Sequence, residues 1–242
     1  MKRPRLSVVL PCYNEAANLP LLLRRYKAVA PKGLAFELVL VDNGSTDDSA
    51  AVLKKELAKP AYAFARSVRV IKNRGYGFGI FSGLKAAQGE VLAFSHADMQ
   101  CDPASVFQAY DAYRQAGGGS ILVKGKRQGR ERSQQWVTNA MSVLASVVLG
   151  RKMTDINAQP KLFPAELMER LGRAPYGFEF DVYVMQRALS AGYRLITVPV
   201  VFGARAHGQS KWAATFFSRW RTMLRVALYL FKLRFSFERH DG

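Results

Sequence analysis

The stretch that decides the fold spans residues 5–47 and reads RLSVVLPCYNEAANLPLLLRRYKAVAPKGLAFELVLVDNGSTD. Short apolar runs at residues 5–10 and 37–41 are typical of buried strands, and residues 16–29 between them have helical spacing. The same alternation continues with strands predicted at 68–71, 91–95 and 120–123 and helices predicted at 47–58, 79–88 and 104–116. Alternation of this kind predicts an α/β fold, with an open, mostly parallel, Rossmann-like sheet flanked by helices.

After about residue 125 the regular alternation gives way to longer elements. In order, these are a basic loop, two helices, a strand and a final helix, predicted at residues 124–132, 134–149, 180–191, 195–202 and 212–237. No internal repeat or low-complexity tract divides the chain. We therefore predict one domain over residues 1–211 and a basic, amphipathic helical extension over residues 212–242.

The composition limits the classes of protein to consider. The 242 residues, 49% hydrophobic and 22% charged, are enough for one α/β domain with a substantial core. The net charge of +18 favours a polyanionic partner: nucleic acid, an anionic membrane surface or a phosphorylated substrate. Cys12 and Cys101 form neither a disulfide framework nor a paired zinc motif, which favours a reducing, cytosolic environment. No stretch reaches the roughly 18–20 uncharged apolar residues that span a bilayer, so we predict no transmembrane helix.

Polar residues follow four of the predicted strands. These segments are residues 11–15, 42–47, 73–77 and 96–100. Ligands bind outside the carboxyl ends of the strands in an open parallel sheet, so the four segments together predict one site, although each alone is ordinary turn chemistry.

Two phosphate-binding motifs do not match, because Ile80 replaces the last glycine of GxGxxG and Arg127 follows Gly125-Lys126 where a Walker A loop needs Ser or Thr. These mismatches disfavour a dinucleotide oxidoreductase and a P-loop NTPase.

Asp98 and Gln100 lie two residues apart after the strand predicted at 91–95. On an extended segment both side chains would point to the same face. Carboxylate and amide oxygens suit Mg²⁺ or Mn²⁺, ions that often bridge protein ligands to substrate phosphates. Asp98 and Gln100 are therefore candidate metal ligands, whereas Asp102, which precedes Pro103, is interpreted as the cap of the next helix.

Several motifs occur together and in a fixed order along the chain. They are PCYNE (11–15), DNGSTD (42–47), NRGYGFGIFSGLKAAQGE (73–90), HADMQ (96–100) and GFEFDVYVMQRALSAGYRLITVPVVFGARAHGQSKW (177–212). With these motifs, residues 5–212 resemble the inverting family-2 glycosyltransferases of GT-A fold, in the dolichyl-phosphate mannose synthase-like branch. The resemblance implies transfer of a sugar from a UDP- or GDP-linked donor to a polyprenyl phosphate of undecaprenyl or dolichyl type, with Mn²⁺ or Mg²⁺ as cofactor.

The resemblance also implies roles for individual residues. The nucleotide-sugar positions are Pro11, Tyr13, Glu15, Asp42 and Asp98, and the metal positions are Asp98, Gln100 and His96. The acceptor-phosphate positions are Lys126, Arg127, Arg205, Ser210 and Lys211. Asp155 matches an acid near the reacting centre, as a base or an orienting group, so Asp98 and Asp155 are the candidate catalytic residues.

His96 departs from the family's pattern, because it stands where the first acid of the DXD motif is expected. A neutral imidazole can ligate Mn²⁺ but suits Mg²⁺ poorly. His96 could instead hydrogen-bond a phosphate, or pack at the end of its strand. A second acceptor arginine is also replaced around residues 134–138, with Arg130 and Arg132 as candidate substitutes.

The C-terminal extension predicts contact with a surface. Apolar side chains recur at helical spacing from Phe216 to Phe231, and Arg221, Arg225 and Lys232 occupy another face. A basic amphipathic helix of this kind is typical of an anionic membrane interface, although packing on the core or on a partner subunit produces the same pattern. We therefore expect a peripheral protein on the cytoplasmic face of the plasma (inner) membrane.

Other functions are compatible with parts of the sequence. A glycosyltransferase acting on a hydroxyl acceptor, in envelope polysaccharide or glycolipid synthesis, would need Asp155 as its base. A catalytically inactive relative is a further alternative because of His96. A nucleic-acid-binding protein would explain the charge, but no recognisable binding module is present and acidic loops repel phosphate in the absence of a metal, so we expect no nucleic-acid partner.

Overall fold

The polar strand ends lie along one edge of a single mixed sheet. The computed structural model describes residues 3–129, 132–203, 205, 207 and 216–238, with the backbone alone for 132–137, 216–222 and 236–238, and within this range the sheet has seven strands. In chain order they are β1 (Leu6–Cys12), β2 (Phe36–Asn43), β3 (Ala65–Val70), β4 (Val91–Phe94), β5 (Ile121–Gln128), β6 (Lys161–Pro164) and β7 (Arg194–Val201). Their order across the sheet is β3-β2-β1-β4-β6-β5-β7.

Seven α-helices within the described residues flank this sheet. They are α1 (Leu19–Val29), α2 (Ser49–Leu57), α3 (Tyr76–Ala86), α4 (Ala104–Gln115), α5 (Arg132–Leu149), α6 (Phe180–Ser190) and α7 (Phe216–Glu238). Buried side chains of α1, α2 and α4 join one apolar core, and those of α3, α5, α6 and α7 join the other. Successive strand side chains point to opposite faces, so the neighbours Val8 and Val9 of β1 belong to different cores. Each such buried side chain contributes about 1.5–3 kcal/mol to the free energy of unfolding.

The predicted α/β fold with an open, mostly parallel sheet is confirmed, and two of its details differ from the prediction. The sequence pattern does not predict β6, which runs antiparallel between β4 and β5. All four of its residues are buried, so the strand shows no alternation of polar and apolar side chains. The basic loop predicted at 124–132 is also partly wrong, because β5 continues to Gln128 by pairing in parallel with β7, where Lys126 lies opposite Pro199.

The order of the strands reverses at β1, which pairs with β2 on one side and with β4 on the other. In open α/β sheets, ligands bind in the crevice outside the carboxyl ends of the strands at such a switch point. Tyr13 and Glu15 follow β1, and His96 and Asp98 follow β4. The fold therefore brings two of the polar segments to the two sides of one crevice.

Helix α7 has both a buried face and an exposed apolar face. Leu230 and Leu233 are buried against the core, whereas the large apolar side chains exposed on this helix are Leu224, Leu228, Phe231 and Phe235. The buried side chains show that the helix packs on the core, and the exposed apolar face leaves contact with a membrane as a prediction. Trp212 lies outside the described residues, as do the side chains of Phe216, Phe217, Trp220 and Arg221. Within the described range, no helix has both the length and the apolar character that crossing a membrane requires.

Candidate active site

Asp42 is the penultimate residue of β2 and organises the loop that follows the strand. Its side chain is buried, and Oδ1 accepts a hydrogen bond from the backbone N of Ser45 at 2.9 Å. The backbone N of Asn14 donates to Oγ of the same Ser45 at 3.1 Å, which ties the loop after β1 to the loop after β2. Pro11 near the end of β1 and Tyr13 just after it are half-buried.

Asp98 lies in a tight turn after β4. The backbone N of Gln100 donates to Oδ1 of Asp98 at 3.1 Å, and Met99 between them has a φ of +62°. The prediction that residues 98–100 are extended is therefore wrong, because an aspartate side chain can bind the backbone two residues later and turn the chain. The Gln100 side chain is directed to the segment after β7, where its Nε2 donates to the Gly203 carbonyl at 3.3 Å.

Arg205 lies against two carboxylates of the switch-point crevice, those of Asp98 and Glu15. One guanidinium nitrogen, Nη2, is 2.8 Å from Oδ2 of Asp98, and Nη1 is 3.6 Å from Oε1 of Glu15. Its Nε is buried and has no hydrogen-bond partner among the residues that the structure describes. Arg205 therefore neutralises two of the residues predicted to bind the nucleotide sugar, although the resemblance places it at the acceptor phosphate.

Backbone contacts hold the segment after β7 over this crevice. Phe202 forms a bridge with Cys101, and the backbone N of Gly203 donates to the Gln100 carbonyl at 2.9 Å. The carbonyl of His207 accepts a hydrogen bond from Nδ2 of Asn18 at 3.2 Å. Arg205 is thus carried from the edge strand β7 to the carboxyl ends of β4 and β1.

The environment of His96 and Glu15 changes how each side chain binds protons. Burial lowers the pKa of His96 below its ordinary value, against the opposing charge of Asp98, so the imidazole is neutral near pH 7. Its ring lies beside Tyr76, with 6.3 Å between ring centroids. Burial raises the pKa of Glu15, and the hydrogen bond from Asn18 and the charge of Arg205 act in the opposite direction.

The side chains of Asp98 and His96 fit a divalent cation that is also coordinated by oxygens of a bound ligand. A carboxylate and a neutral imidazole can both donate to a metal, and Asp98 is nearly inaccessible to solvent. The described residues contain no group of three or more His, Cys, Asp or Glu side chains that could hold a metal by themselves. Oxygens of a bound diphosphate would have to complete the coordination, as they commonly do for Mg²⁺.

Asp155 and Arg127 form a second charged pair, at the end of β5. Oδ2 of Asp155 accepts from the backbone N of Arg127 at 2.8 Å, and Oδ1 accepts from Nε at 2.9 Å and also from Nη2. The backbone of Asp155 has a φ of +41°, and Ser142 Oγ accepts from its N at 3.1 Å. Burial alone would raise the pKa of Asp155, but the hydrogen bonds and charge of Arg127 lower it below the ordinary value. The Asp155 carboxylate is therefore ionised, and both of its oxygens accept hydrogen bonds from Arg127.

Two buried lysines lie behind this pair. Sequence analysis counts Lys124 among the cations of the basic loop that could meet the acceptor phosphate, and does not identify Lys161. Lys124 on β5 is directly opposite Lys161 on β6, and both are fully buried. Lys124 Nζ donates to the backbone carbonyl of Asp155 at 3.1 Å, and Lys161 forms an ion pair with the buried Asp181. Burial, with Lys161 nearby, lowers the pKa of Lys124 to about 7. A charged residue inside an apolar strand is the sequence signal that could have drawn attention to Lys161.

Lys126, another predicted acceptor residue, does not lie at this pair. Lys126 is exposed, and the alternation of β5 directs it to the face opposite Arg127, whose guanidinium lies 5.6 Å from the ring centroid of Phe202. Ser210, Lys211 and Arg130 lie outside the described residues, as does the side chain of Arg132.

A family model described as glycosyl transferase family 2 matches residues 7–172. The match covers more than half of the chain and includes Asp42, Asp98, Arg127 and Asp155. The chain belongs to glycosyl transferase family 2. The matched segment includes the loops after β1 and β4 at the switch-point crevice and both residues of the Arg127–Asp155 pair. Arg205 lies beyond the matched segment.

Curated relatives of this family 2 chain include undecaprenyl-phosphate 4-deoxy-4-formamido-L-arabinose transferases. The protein from Edwardsiella ictaluri (strain 93-146) is 30% identical over 213 residues, which are 85% of this chain and 62% of that protein. The protein from Pseudomonas savastanoi pv. phaseolicola is 32% identical over 213 residues, 86% of this chain and 60% of that protein. The family 2 chain thus spans about three-fifths of the length of these relatives.

Solved structures of other glycosyltransferases are similar in fold. Glucosyl-3-phosphoglycerate synthase from Mycobacterium tuberculosis, in complex with Mn²⁺, UDP and glucosyl-3-phosphoglycerate, has a TM-score of 0.68 at 23% identity, over 96% of this chain and 80% of that one. A mannosyltransferase from Pyrobaculum calidifontis, in complex with GDP-Man and Mn²⁺, has a TM-score of 0.67 at 23% identity, over 100% of this chain and 66% of that one. The predicted GT-A fold of the family 2 chain is confirmed.

Proposed function

We propose that the chain is an inverting glycosyltransferase that moves a sugar from a UDP- or GDP-linked donor to a polyprenyl phosphate at a membrane surface. The observation that carries the proposal is the pair of charged clusters at the carboxyl ends of the strands. One consists of Asp98, Arg205 and Glu15 at the switch point, and the other of Arg127 and Asp155 at the end of β5. The printed names of the curated relatives support the same acceptor class.

The switch-point cluster is the proposed donor site. Pro11, Tyr13, Glu15 and Asp42 line the nucleotide side, where the tied loops after β1 and β2 present a preformed edge. Asp98, with His96 and Gln100 nearby, would hold Mn²⁺ or Mg²⁺, and the bound ion would neutralise charge on the departing diphosphate. Arg205 is placed to turn from the carboxylates to that diphosphate, because a guanidinium pairs well with phosphate oxygens.

The second cluster is the proposed acceptor site. A phosphate acceptor is already anionic near neutral pH, so it needs a positioned cation more than a base. Asp155 holds Arg127 by three hydrogen bonds and has a lowered pKa, so it is suited to orienting Arg127 and poorly suited to removing a proton. This observation favours a phosphate acceptor over the alternative hydroxyl acceptor. Ser210 and Lys211 stay predicted members of this site.

The proposed membrane contact is the surface formed by α5 and α7, which pack against each other. On α5, Val143 and Val147 are exposed and line an apolar hollow of about 580 Å³. On α7, Leu224, Leu228, Phe231 and Phe235 are exposed in a stripe at helical spacing. Apolar side chains flanked by cations such as Arg225 and Lys232 suit an anionic membrane interface. We propose this surface, with residues 212–242, as the attachment of a domain at 1–211 to the cytoplasmic face of the inner membrane.

The test is a transfer assay with the purified chain and vesicles that contain undecaprenyl phosphate. Radiolabelled UDP- and GDP-sugars are supplied one at a time, and label in the organic phase is measured. We expect label from one donor, loss of transfer with EDTA, and a decrease of about 10–100-fold for Asp98→Asn, since a charged hydrogen-bonding partner is removed. Asp102→Asn is the matched control, because Asp102 belongs to the same segment but is exposed and pairs with Arg25. Transfer only to a hydroxyl acceptor, or no transfer by a chain that still binds nucleotide, would contradict the proposal.

A further inference from the structure

A hollow lined by cations lies outside the crevice, at the outer edge of the sheet formed by β5 and β7. It has a volume of about 620 Å³. Its walls carry three cations, Lys126 from β5 and Arg151 and Lys152 from the segment after α5, together with the hydroxyls of Thr154 and Thr197. We call this hollow the basic cavity. Neither the proposed donor site nor the proposed acceptor pair uses it.

The basic cavity and the guanidinium of Arg127 lie on opposite faces of the sheet. Lys126 and Arg127 are neighbours on β5, so their side chains point to opposite faces. Leu189 and Leu195, which line the cavity, pack against the core shared by α3, α5, α6 and α7. Phe202, under the guanidinium of Arg127, packs against the other core. A ligand in the cavity is therefore separated by the sheet from the Arg127 guanidinium, whereas Thr154 in the cavity wall directly precedes Asp155 in the chain.

No carboxylate of the described residues forms an ion pair with the cations of the basic cavity. Within the described residues, Lys126, Arg151 and Lys152 are exposed and none of them has a salt bridge. Exposed cations without a carboxylate partner among the described residues also occur elsewhere, such as Arg24 and Lys27 on α1, but the three cations here line a single hollow. Three unpaired cations and two hydroxyls around one hollow form a donor-rich site for an anion with several oxygens, such as a phosphate group.

The position of the basic cavity indicates the source of that phosphate. Arg151 and Lys152 directly follow the C-terminus of α5, so they continue from the helix that exposes Val143 and Val147. Arg234 of α7 is anchored at the same end of α5, where it donates to the Val148 carbonyl at 3.0 Å. A free phosphate ion gains nothing from contact with an adjoining apolar surface. A phospholipid carries a phosphate group and apolar chains in one molecule, so it can contact both surfaces at once.

We infer that the basic cavity binds the phosphate group of an anionic membrane phospholipid while the α5–α7 surface contacts the acyl region. Bound in this way, the lipid would fix the rotation of the domain on the membrane and so the direction in which the crevice faces. The inference rests on the proposed membrane association, but not on the transfer reaction itself.

The test measures binding to vesicles that contain no polyprenyl phosphate, without nucleotide sugar. The triple variant Lys126→Ser/Arg151→Ser/Lys152→Ser is compared with the unaltered chain on phosphatidylcholine vesicles with and without phosphatidylglycerol. Each basic residue near an anionic surface contributes about 1 kcal/mol, so we expect the partition coefficient to fall on the order of 100-fold on the anionic vesicles. On neutral vesicles we expect little difference between the two proteins.

The matched control is Arg24→Ser/Lys27→Ser/Lys55→Ser, which removes the same charge from exposed positions of α1 and α2 on the opposite face. We expect this control to bind anionic vesicles nearly as well as the unaltered chain. Equal losses in the two triple variants would show a response to net charge alone, and no loss in either would show that the cavity binds no lipid; both results overturn the inference. Displacement from the vesicles by inorganic phosphate at low concentration would point to free phosphate as the ligand and would also overturn it. Circular dichroism checks folding, and the transfer assay on the same proteins tests the proposed function separately.

Discussion

Replacing Arg205 by Met should strengthen binding of Mn²⁺ to the chain in the absence of nucleotide. In the present structure Arg205 Nη2 is 2.8 Å from Asp98 Oδ2, so the guanidinium holds the oxygen that a metal would need. A cation that binds Asp98 must first displace Arg205 and then stay close to its positive charge. Methionine retains much of the packing of the arginine stem but removes that charge.

The structure also sets the size of the effect. A hydrogen bond between charged groups contributes roughly 1.5–3 kcal/mol. The Asp98 side chain is 6% exposed and that of Arg205 is 27% exposed, so some solvent screening favours the lower end of this range. Because about 1.4 kcal/mol corresponds to a factor of ten in an equilibrium constant, we expect the Kd for Mn²⁺ to fall about tenfold. The contact with Glu15, at 3.6 Å, is looser and adds less.

The assay is a titration with Mn²⁺ alone, in which electron paramagnetic resonance reports the free ion. We expect Arg205→Lys to behave nearly like the unaltered chain, and Arg25→Met, which breaks the exposed pair with Asp102, to leave Mn²⁺ binding unchanged. Binding of UDP or GDP should change in the opposite direction and weaken in Arg205→Met, because the diphosphate loses a cationic partner. An unchanged or higher Kd for Mn²⁺ in Arg205→Met would refute the reasoning.

Further predictions concern the buried charges behind the crevice. Lys161→Met leaves Asp181 buried without its partner and should lower the free energy of unfolding by about 3–5 kcal/mol, as measured with urea, whereas Lys161→Met/Asp181→Leu should recover most of the loss. Burial lowers the pKa of Lys124 from 10.5 to about 7, so the unfolded chain binds more protons between these values and the free energy of unfolding should rise with pH across that window. Urea unfolding at a series of pH values should show this rise for the unaltered chain and a smaller one for Lys124→Met. Asp155→Asn should lower kcat with a phosphate acceptor about 10–100-fold through loss of Arg127 orientation, with an unchanged pH profile, whereas removal of a general base would shift that profile.

The strand ends illustrate what can be read from local pattern. Residues 5–10 and 37–41 predict buried strands from their apolar runs. The structure places β1 there from Leu6 to Cys12, two residues longer at its C-terminal end, and β2 is longer than predicted at both ends. The same pattern predicts that the polar segments after these two strands lie at one edge of the sheet, because the carboxyl ends of parallel strands share an edge. The exception is the turn at Asp98, where a side chain binds its own backbone at Gln100. Such a turn competes with an extended conformation that periodicity alone would favour.

The sequence by itself determined the α/β class, the crevice at the strand ends and the family, because apolar periodicity and short motifs are properties of neighbouring residues. Only the tertiary structure decided which charges meet. Lys124 faces Lys161 because of the register between β5 and β6, and Lys126 faces away from Arg127 because successive side chains of a strand alternate. Arg205 reaches Asp98 because the backbone after β7 is bonded to the turn after β4. Register and chain path are set by packing across the whole sheet, so the partner of a distant charge is absent from any local stretch of sequence.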